Sequence, residues 1–297
     1  MVQQNAAKWL TKDRSYHQTS SPYPLPNDPT EHRRLDDQGA AVLALMNNQL
    51  LHAPITSTPT RILDIGCGTG ATTVQLARQF PSATVIGLDL SPVPALLSSS
   101  PTCPPNARGI QGDFLDPSFA HPEVRASSFD LVFSRFLVMG VNDWDAFYAR
   151  AVVALAPGGW VETQDVDQVW YDADGACCSD GWRWLRAMTA AAARRGLDMS
   201  CASRTAGRME EVGLVEVGAQ RWVLPLGEWE RYPEADAAAQ FARRTLRASL
   251  EGALVRMLRE DGVGEEELEG LREGMLGEEV WDRGVHRLLT VTWGQKP

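Results

Sequence analysis

Residues 63–70 place three glycines at alternate positions within one short segment of the chain. Gly66, Gly68 and Gly70 follow the apolar run 61–65 and precede the helix-like segment 71–77, which predicts a strand, a tight turn and a helix start. Glycine at these positions lets a ligand lie against the main chain. The helix that follows offers free N–H donors at its N-terminus. The segment therefore predicts a nucleotide-binding turn.

Aspartates around this turn distinguish two classes of cofactor. The spacing is G-x-G-x-G with Asp64 two residues before the first glycine, whereas a dinucleotide site has G-x-G-x-x-G and receives a pyrophosphate. S-adenosylmethionine (SAM) carries ammonium and sulfonium cations and no phosphate, so a carboxylate here would attract SAM and repel a dinucleotide. Asp89 ends the apolar run 83–88, where ribose hydroxyls are commonly held, and Asp113 follows the next predicted strand. Either of these two acids alone could be an ordinary turn residue, but with the turn they predict a SAM site.

The predicted elements explain how these residues could meet. Helices over 71–80 and 143–155 alternate with five strands, predicted at 61–65, 84–89, 108–112, 129–134 and 160–164. Repeated βα units imply a parallel doubly wound sheet with ligands at the carboxyl ends of its strands. The Pro- and Ser-rich stretch 92–105 predicts a short or broken helix after the second strand.

The alternation stops after residue 170. Beyond it the periodicity predicts helices over 179–196, 200–212, 233–258 and 264–275, and strands over 214–226 and 285–293. We therefore expect an N-terminal helical lid over 1–60, a SAM-binding α/β core over 61–170, and a helical substrate cap with the last two strands over 171–297. These three parts are expected to form one folded unit.

Composition excludes several classes of protein. The 297 residues carry a net charge of −10, which argues against non-specific nucleic-acid binding because phosphate attraction requires clustered Lys and Arg. The five cysteines form no C-x-x-C pair, so neither a disulfide framework nor a metal site is predicted. No apolar run reaches the roughly 20 residues of a membrane span, and residues 1–10 lack a signal-peptide core. We expect a cytoplasmic protein without membrane or nucleic-acid partners, a monomer or a homodimer.

Motifs along nearly the whole chain match those of a known family. They comprise Tyr-Pro-Leu-Pro-Asn-Asp at 23–28, the glycine turn, Gly-Leu-Asp-Leu-Ser-Pro at 87–92, Leu-Ala-Pro-Gly-Gly-Trp at 155–160 and the terminal Gly-Gln-Lys-Pro. With these motifs the sequence resembles the class I SAM-dependent methyltransferases and, within them, the fungal LaeA-like group of regulators and secondary-metabolite methyltransferases. The glycine turn is shared by SAM-binding folds in general, whereas the motif at 23–28 is specific to a much smaller group of proteins.

This resemblance implies a Rossmann-like seven-stranded sheet whose last strand runs antiparallel, with an N-terminal lid and helical cap insertions. It also implies contacts to SAM, in and around the glycine turn and at the end of the second and third strands. These contacts would come from Asp64, Gly66, Cys67 and Gly68 on the methionine side and from Asp89, Leu90, Asp113 and Phe114 around the ribose and adenine. Ser134 and Arg135, at the end of the fourth strand, would border the methionyl group and the substrate, and Tyr23 and Arg34 would close over the cofactor from the lid.

Residues for catalysis are less well specified. Methyl transfer from a sulfonium is an in-line displacement that depends mainly on holding the reacting atoms collinear, so a general base is optional. Candidate bases are His17, in the lid, and Asp165, after the fifth predicted strand. A lone histidine is more often a structural hydrogen-bonding group.

Two aromatic residues follow the fifth predicted strand directly, where the substrate chamber should open. Trp170 and Tyr171 therefore predict a pocket for an aromatic or polycyclic substrate, although core packing is the alternative for each.

Together these observations favour an enzyme that transfers a methyl group from SAM to a small fungal natural product, with oxygen as the favoured acceptor atom and S-adenosylhomocysteine as the product. Two alternatives remain open. One is a SAM-bound cyclase that transfers no methyl group, and the other is a LaeA-like regulatory protein, for which a nuclear location would be expected.

Overall fold

The computed structural model describes residues 14–16, 19, 21–227, 229, 232, 235–282 and 284–297. Within them lies a seven-stranded sheet, made of β1 (Arg61–Ile65), β2 (Thr84–Asp89), β3 (Ala107–Gln111), β4 (Phe129–Arg135), β5 (Leu155–Val166), β6 (Val215–Pro225) and β7 (His286–Gln295). The strand order is β3-β2-β1-β4-β5-β7-β6, and β7 runs antiparallel to both of its neighbours. The predicted α/β fold with an antiparallel last strand is confirmed.

Helices flank both faces of this sheet. They are α1 (Pro29–Leu45), α2 (Ala71–Gln79), α3 (Ala95–Ser98), α4 (Trp144–Ala154), α5 (Arg183–Arg194), α6 (Cys201–Glu211), α7 (Asp236–Phe241), α8 (Arg247–Glu260) and α9 (Glu265–Leu276). A π-helical turn, Ala242–Leu246, joins α7 to α8, and a short 3-10 turn spans Glu278–Val280. The short helix predicted after the second strand is confirmed as α3, whereas the single helix predicted over 233–258 is interrupted by the π turn.

The central strands are buried on both faces, as is expected for parallel strands that are covered by helices on each side of the sheet. Leu63, Val132, Phe133 and Val161 are completely excluded from solvent. Because these strands are nearly continuous apolar runs, the sheet forms a rigid frame on which the loops at its carboxyl edge are held.

The lid helix α1 begins at a fixed point. Asp28 caps it by accepting hydrogen bonds from the backbone N–H groups of Thr30 and Glu31, both at 3.0 Å, with Pro29 as its first residue. This cap satisfies donors that a helix N-terminus otherwise leaves unpaired. The Arg14 guanidinium, 2.5 Å from Asp28, helps to lower the pKa of that carboxyl. Among the helices of the described residues, none has the length and apolar character needed to span a membrane.

Candidate functional site

The glycine turn after β1 adopts backbone angles that favour glycine. Gly66, Gly68 and Gly70 have φ values of +71°, +53° and +81°, a region that costs roughly 1–2 kcal/mol for residues with a side chain. A Cβ on Gly70 would also lie 2.6 Å from Cγ of Leu97. The turn is held to the neighbouring strand by a hydrogen bond from Gly66 N–H to the Leu88 carbonyl at 2.8 Å. The three glycines therefore bring the main chain close to whatever binds there.

Asp89 connects the glycine turn to the end of β2. One carboxylate oxygen accepts from Gly68 N–H and the other from Ser91 N–H, each at 2.8 Å. The same side chain lines the cavity described next. Asp89 therefore shapes two backbone turns and presents its charge to the site.

A cavity of about 360 Å³ opens at the carboxyl ends of β1, β2 and β4, within the range of small-molecule sites. Of the residues predicted to contact SAM, those that line it are Tyr23, Arg34, Asp64, Gly66, Cys67, Gly68, Asp89, Leu90, Asp113, Phe114 and Arg135. The lid, the glycine turn and the ends of β2, β3 and β4 are thus brought together in one chamber. Their individual contacts to a cofactor stay predictions.

Ser134 is the exception, since it does not line the cavity. It is fully buried and its hydroxyl donates to Thr163 Oγ1 at 3.2 Å. Neighbouring residues of a strand point to opposite faces, and only Arg135 of this pair lines the cavity. Its Nη2 donates to Thr72 Oγ1 at 2.6 Å, while its Nη1 is buried without a hydrogen-bond partner.

Asp64 has an unusual electrostatic environment at the base of the cavity. Burial raises its pKa to about 6, the charge of Asp89 adds to this effect, and the Arg135 cation and the hydrogen bond from Thr73 Oγ1 at 2.6 Å oppose it. The Asp64 carboxyl therefore changes between its neutral and ionised forms at a pH slightly below neutral.

The lid contributes two residues to the cavity wall. Burial raises the pKa of the Tyr23 hydroxyl, so this hydroxyl stays protonated at neutral pH. Arg34 donates from Nε to Glu31 at 2.7 Å and from Nη1 to Gln38 at 2.9 Å. These contacts within α1 fix the guanidinium at the edge of the chamber.

The structure bears on one of the two candidate bases, because His17 lies outside the described residues. Asp165 does not line the cavity; it accepts hydrogen bonds from the backbone N–H groups of Leu137 at 2.7 Å and Val166 at 2.9 Å. Burial raises its pKa to about 7. These contacts hold the loop after β4, and the role of Asp165 as a base stays a prediction.

The two residues predicted to form an aromatic pocket lie outside the cavity lining. Trp170 is fully buried, with its ring centroid 5.7 Å from Trp182 and 5.4 Å from Trp184. Tyr171 exchanges two backbone hydrogen bonds of 2.9 Å with His286. Neither residue lines the cavity, because the chain after β5 turns back beside β7, where the Tyr171 ring stacks on His286.

Other residues form the far side of the cavity instead, and the sequence interpretation missed them. They are Gln168 after β5, Leu246 of the π turn, Ser249 and Leu250 of α8, and Arg287 of β7. His32 of α1 also lines it. π-helical turns are frequent at functional sites, and the arginine inside the predicted strand 285–293 was the one signal that could have pointed here.

Comparisons with known proteins agree with this geometry. A family described as a methyltransferase domain matches residues 62–159. Methyltransferase pytC of Aspergillus terreus is 28% identical, over 100% of this chain and 89% of its own length. The secondary metabolism regulator laeA of Aspergillus niger is 29% identical over 82% of this chain and 64% of its own length. Methyltransferase str3 of Strobilurus tenacellus is 35% identical over 50% of each chain.

Proposed function

We propose that this SAM-dependent methyltransferase, which is similar to proteins of the fungal LaeA-like group, methylates an oxygen atom of a small-molecule secondary metabolite. One observation carries this proposal. The residues predicted to hold SAM and an apolar wall, formed by Val166, Leu246 and Leu250, line the same cavity. A cofactor and an apolar acceptor can therefore meet in one chamber.

The residues present fit SAM. Glycine backbone at Gly66 and Gly68 leaves room for close approach, and Asp89 lies at the end of β2, where ribose hydroxyls are bound in related folds. The orphaned Nη1 of Arg135 could receive the methionine carboxylate. Bound SAM would supply a methyl carbon open to in-line attack by the acceptor oxygen, with the C–S bond breaking and S-adenosylhomocysteine as the leaving group.

Acceleration by this chain would come mainly from orientation and exclusion of water. The lid residue Tyr23, the loop residues Leu137 and Val138 and the α8 residue Leu250 border the chamber from different elements. Holding two reactants in such a chamber replaces an encounter in solution with a positioned reaction. In the same proposal, 1–60 acts as lid, 61–170 as cofactor core and 171–297 as substrate cap, within one folded unit.

SAM affinity is expected to rise with pH between about 5 and 7. The pKa of Asp64 is raised to about 6, so the carboxyl is mostly protonated below that pH. A cationic ligand favours the ionised form, and it can bind tightly only once the proton has left. Isothermal titration calorimetry at pH 5, 6, 7 and 8 should show a rise of up to about tenfold for each pH unit below the pKa, then a plateau.

The matched control is Asp64→Asn, which can still accept the hydrogen bond from Thr73. This variant should bind SAM more weakly at pH 8 and lose the rise. A pH dependence that persists unchanged in Asp64→Asn would assign it to another group.

The proposed acceptor class is tested with methyl-labelled SAM. Purified protein is incubated with separate small-molecule and protein extracts of a fungus, and the label is followed by chromatography and mass spectrometry. We expect label in the small-molecule fraction, together with stoichiometric S-adenosylhomocysteine. Label in protein would contradict the proposal and favour the regulatory alternative, while conversion of a small molecule without S-adenosylhomocysteine would favour the cyclase.

A further inference from the structure

Arg287 is a buried cation at the substrate end of the cavity. It lies near the start of β7, is 3% exposed, and lines the chamber beside Gln168 and Leu246. In the sheet, β4 and β5 lie between β7 and the strand that leads into the glycine turn. Arg287 is therefore placed to meet the acceptor rather than SAM.

The protein leaves this guanidinium only partly satisfied. Nη1 donates to Gln168 Oε1 at 3.1 Å, while Nε is buried without a hydrogen-bond partner. Among the described residues no carboxylate forms a salt bridge with it; the nearest charged influence is Asp165, whose oxygens already accept backbone hydrogen bonds. Burial lowers the pKa of Arg287 to about 10, so it remains a cation at neutral pH. A buried cation without a paired anion is costly.

Packing fixes the orientation of the group. The guanidinium carbon lies 5.3 Å from the centroid of the Trp170 ring, an arrangement in which the ring attracts the cation. Trp170 and Gln168 thus hold the guanidinium from two directions without neutralising it. A carboxylate matches such a guanidinium because it accepts two parallel N–H bonds.

We propose that Arg287 binds a carboxylate of the substrate, so that the acceptor is a small carboxylic acid whose apolar body lies against Leu246 and Leu250. This inference rests on the proposed function, since it takes the far side of the cavity to be the acceptor site. Arg287 acts here as a specificity-determining residue. It rejects neutral analogues because they leave the buried cation unpaired.

The test uses benzoate and benzamide, which share shape but differ in charge. Each is titrated calorimetrically into protein saturated with S-adenosylhomocysteine, so that the cofactor side is filled. Benzoate is expected to bind about tenfold or more tightly than benzamide, the range for hydrogen bonds to a charged group. In Arg287→Gln the preference should disappear.

Arg221→Gln is the matched control. Arg221 lies on β6 opposite Thr290 of β7, is exposed, and does not line the cavity, so its loss should leave the preference intact. Arg287→Lys keeps the positive charge but cannot form the bidentate pair of hydrogen bonds that a guanidinium makes, so it should retain only part of the preference for benzoate. Affinity for S-adenosylhomocysteine, measured on every variant, shows whether the fold and cofactor side are intact.

Benzoate binding no tighter than benzamide in the unaltered protein would overturn the inference, as would a preference that survives in Arg287→Gln. If the preference is present and label never reaches small molecules, the proposed methyl acceptor is wrong while the anion site stands. Label transfer to a small molecule without any preference for acids would reject Arg287 as the anchor and keep the proposed function.

Discussion

Replacing Asp89 with alanine is expected to weaken SAM binding by about 1–3 kcal/mol, or roughly 5- to 150-fold, the range for losing hydrogen bonds to a charged group. The side chain accepts hydrogen bonds from Gly68 and Ser91 and lines the cavity at the end of β2. Alanine would remove the predicted ribose contacts and also release the glycine turn from its strand. Calorimetric titration of SAM measures the loss directly.

Two further variants separate the ribose contacts from general damage. Asp89→Asn keeps one acceptor oxygen for the turn and should fall between the unaltered protein and alanine. Asp116→Ala removes an exposed carboxylate that accepts from Ser118 in a similar local turn and does not line the cavity, so its SAM affinity should not change. Unaltered affinity in Asp89→Ala would show that the cofactor lies elsewhere in the cavity.

The sheet and the cofactor side could be predicted because their signals are local. Strand, glycine turn and helix follow one another within 61–79, and the acids Asp64 and Asp89 sit at strand ends. Parallel strands bring their carboxyl ends to one edge whatever the cap does. The strand order and the clustering of these residues around one cavity follow from that topology.

The substrate side could not be predicted in the same way, because its residues are distant in sequence. Gln168 and Arg287 meet only because β7 inserts between β5 and β6. The position of Trp170 just after β5 favoured it as a residue of the substrate pocket. Its ring instead packs against the Arg287 guanidinium and the Trp184 ring. Successive residues of a strand point to opposite faces, so an error of one residue in the register reverses the direction of a side chain. Knowing that a residue follows a strand therefore does not tell whether its side chain reaches the chamber.

Replacing Glu162 with alanine is expected to lower the free energy of unfolding by about 3 kcal/mol or more. Glu162 is completely buried in β5; one oxygen accepts from the backbone N–H groups of His52 at 2.8 Å and Ala53 at 2.7 Å, and the other accepts from Gln164 Nε2 at 2.8 Å. Alanine leaves two buried donors and the part-buried N–H of His52 without this acceptor, at a cost of about 1–3 kcal/mol for each buried donor, partly relieved if water enters. Chemical denaturation followed by circular dichroism measures the change.

The contrast with Glu162→Gln decides whether the hydrogen bonds or the charge matter. Burial raises the pKa of Glu162, so the ionised form is disfavoured there and a neutral acceptor should serve nearly as well. Gln keeps an oxygen for His52 and Ala53 but loses the hydrogen bond from Gln164, whose Nε2 also donates to the Leu50 carbonyl at 2.8 Å, so its loss of stability should be smaller than that of alanine. Equal losses of stability in both variants would mean that the negative charge of Glu162 itself holds the segment that joins the lid to β1. Charge would then contribute to stability at the centre of the sheet as well as at the aspartates of the site.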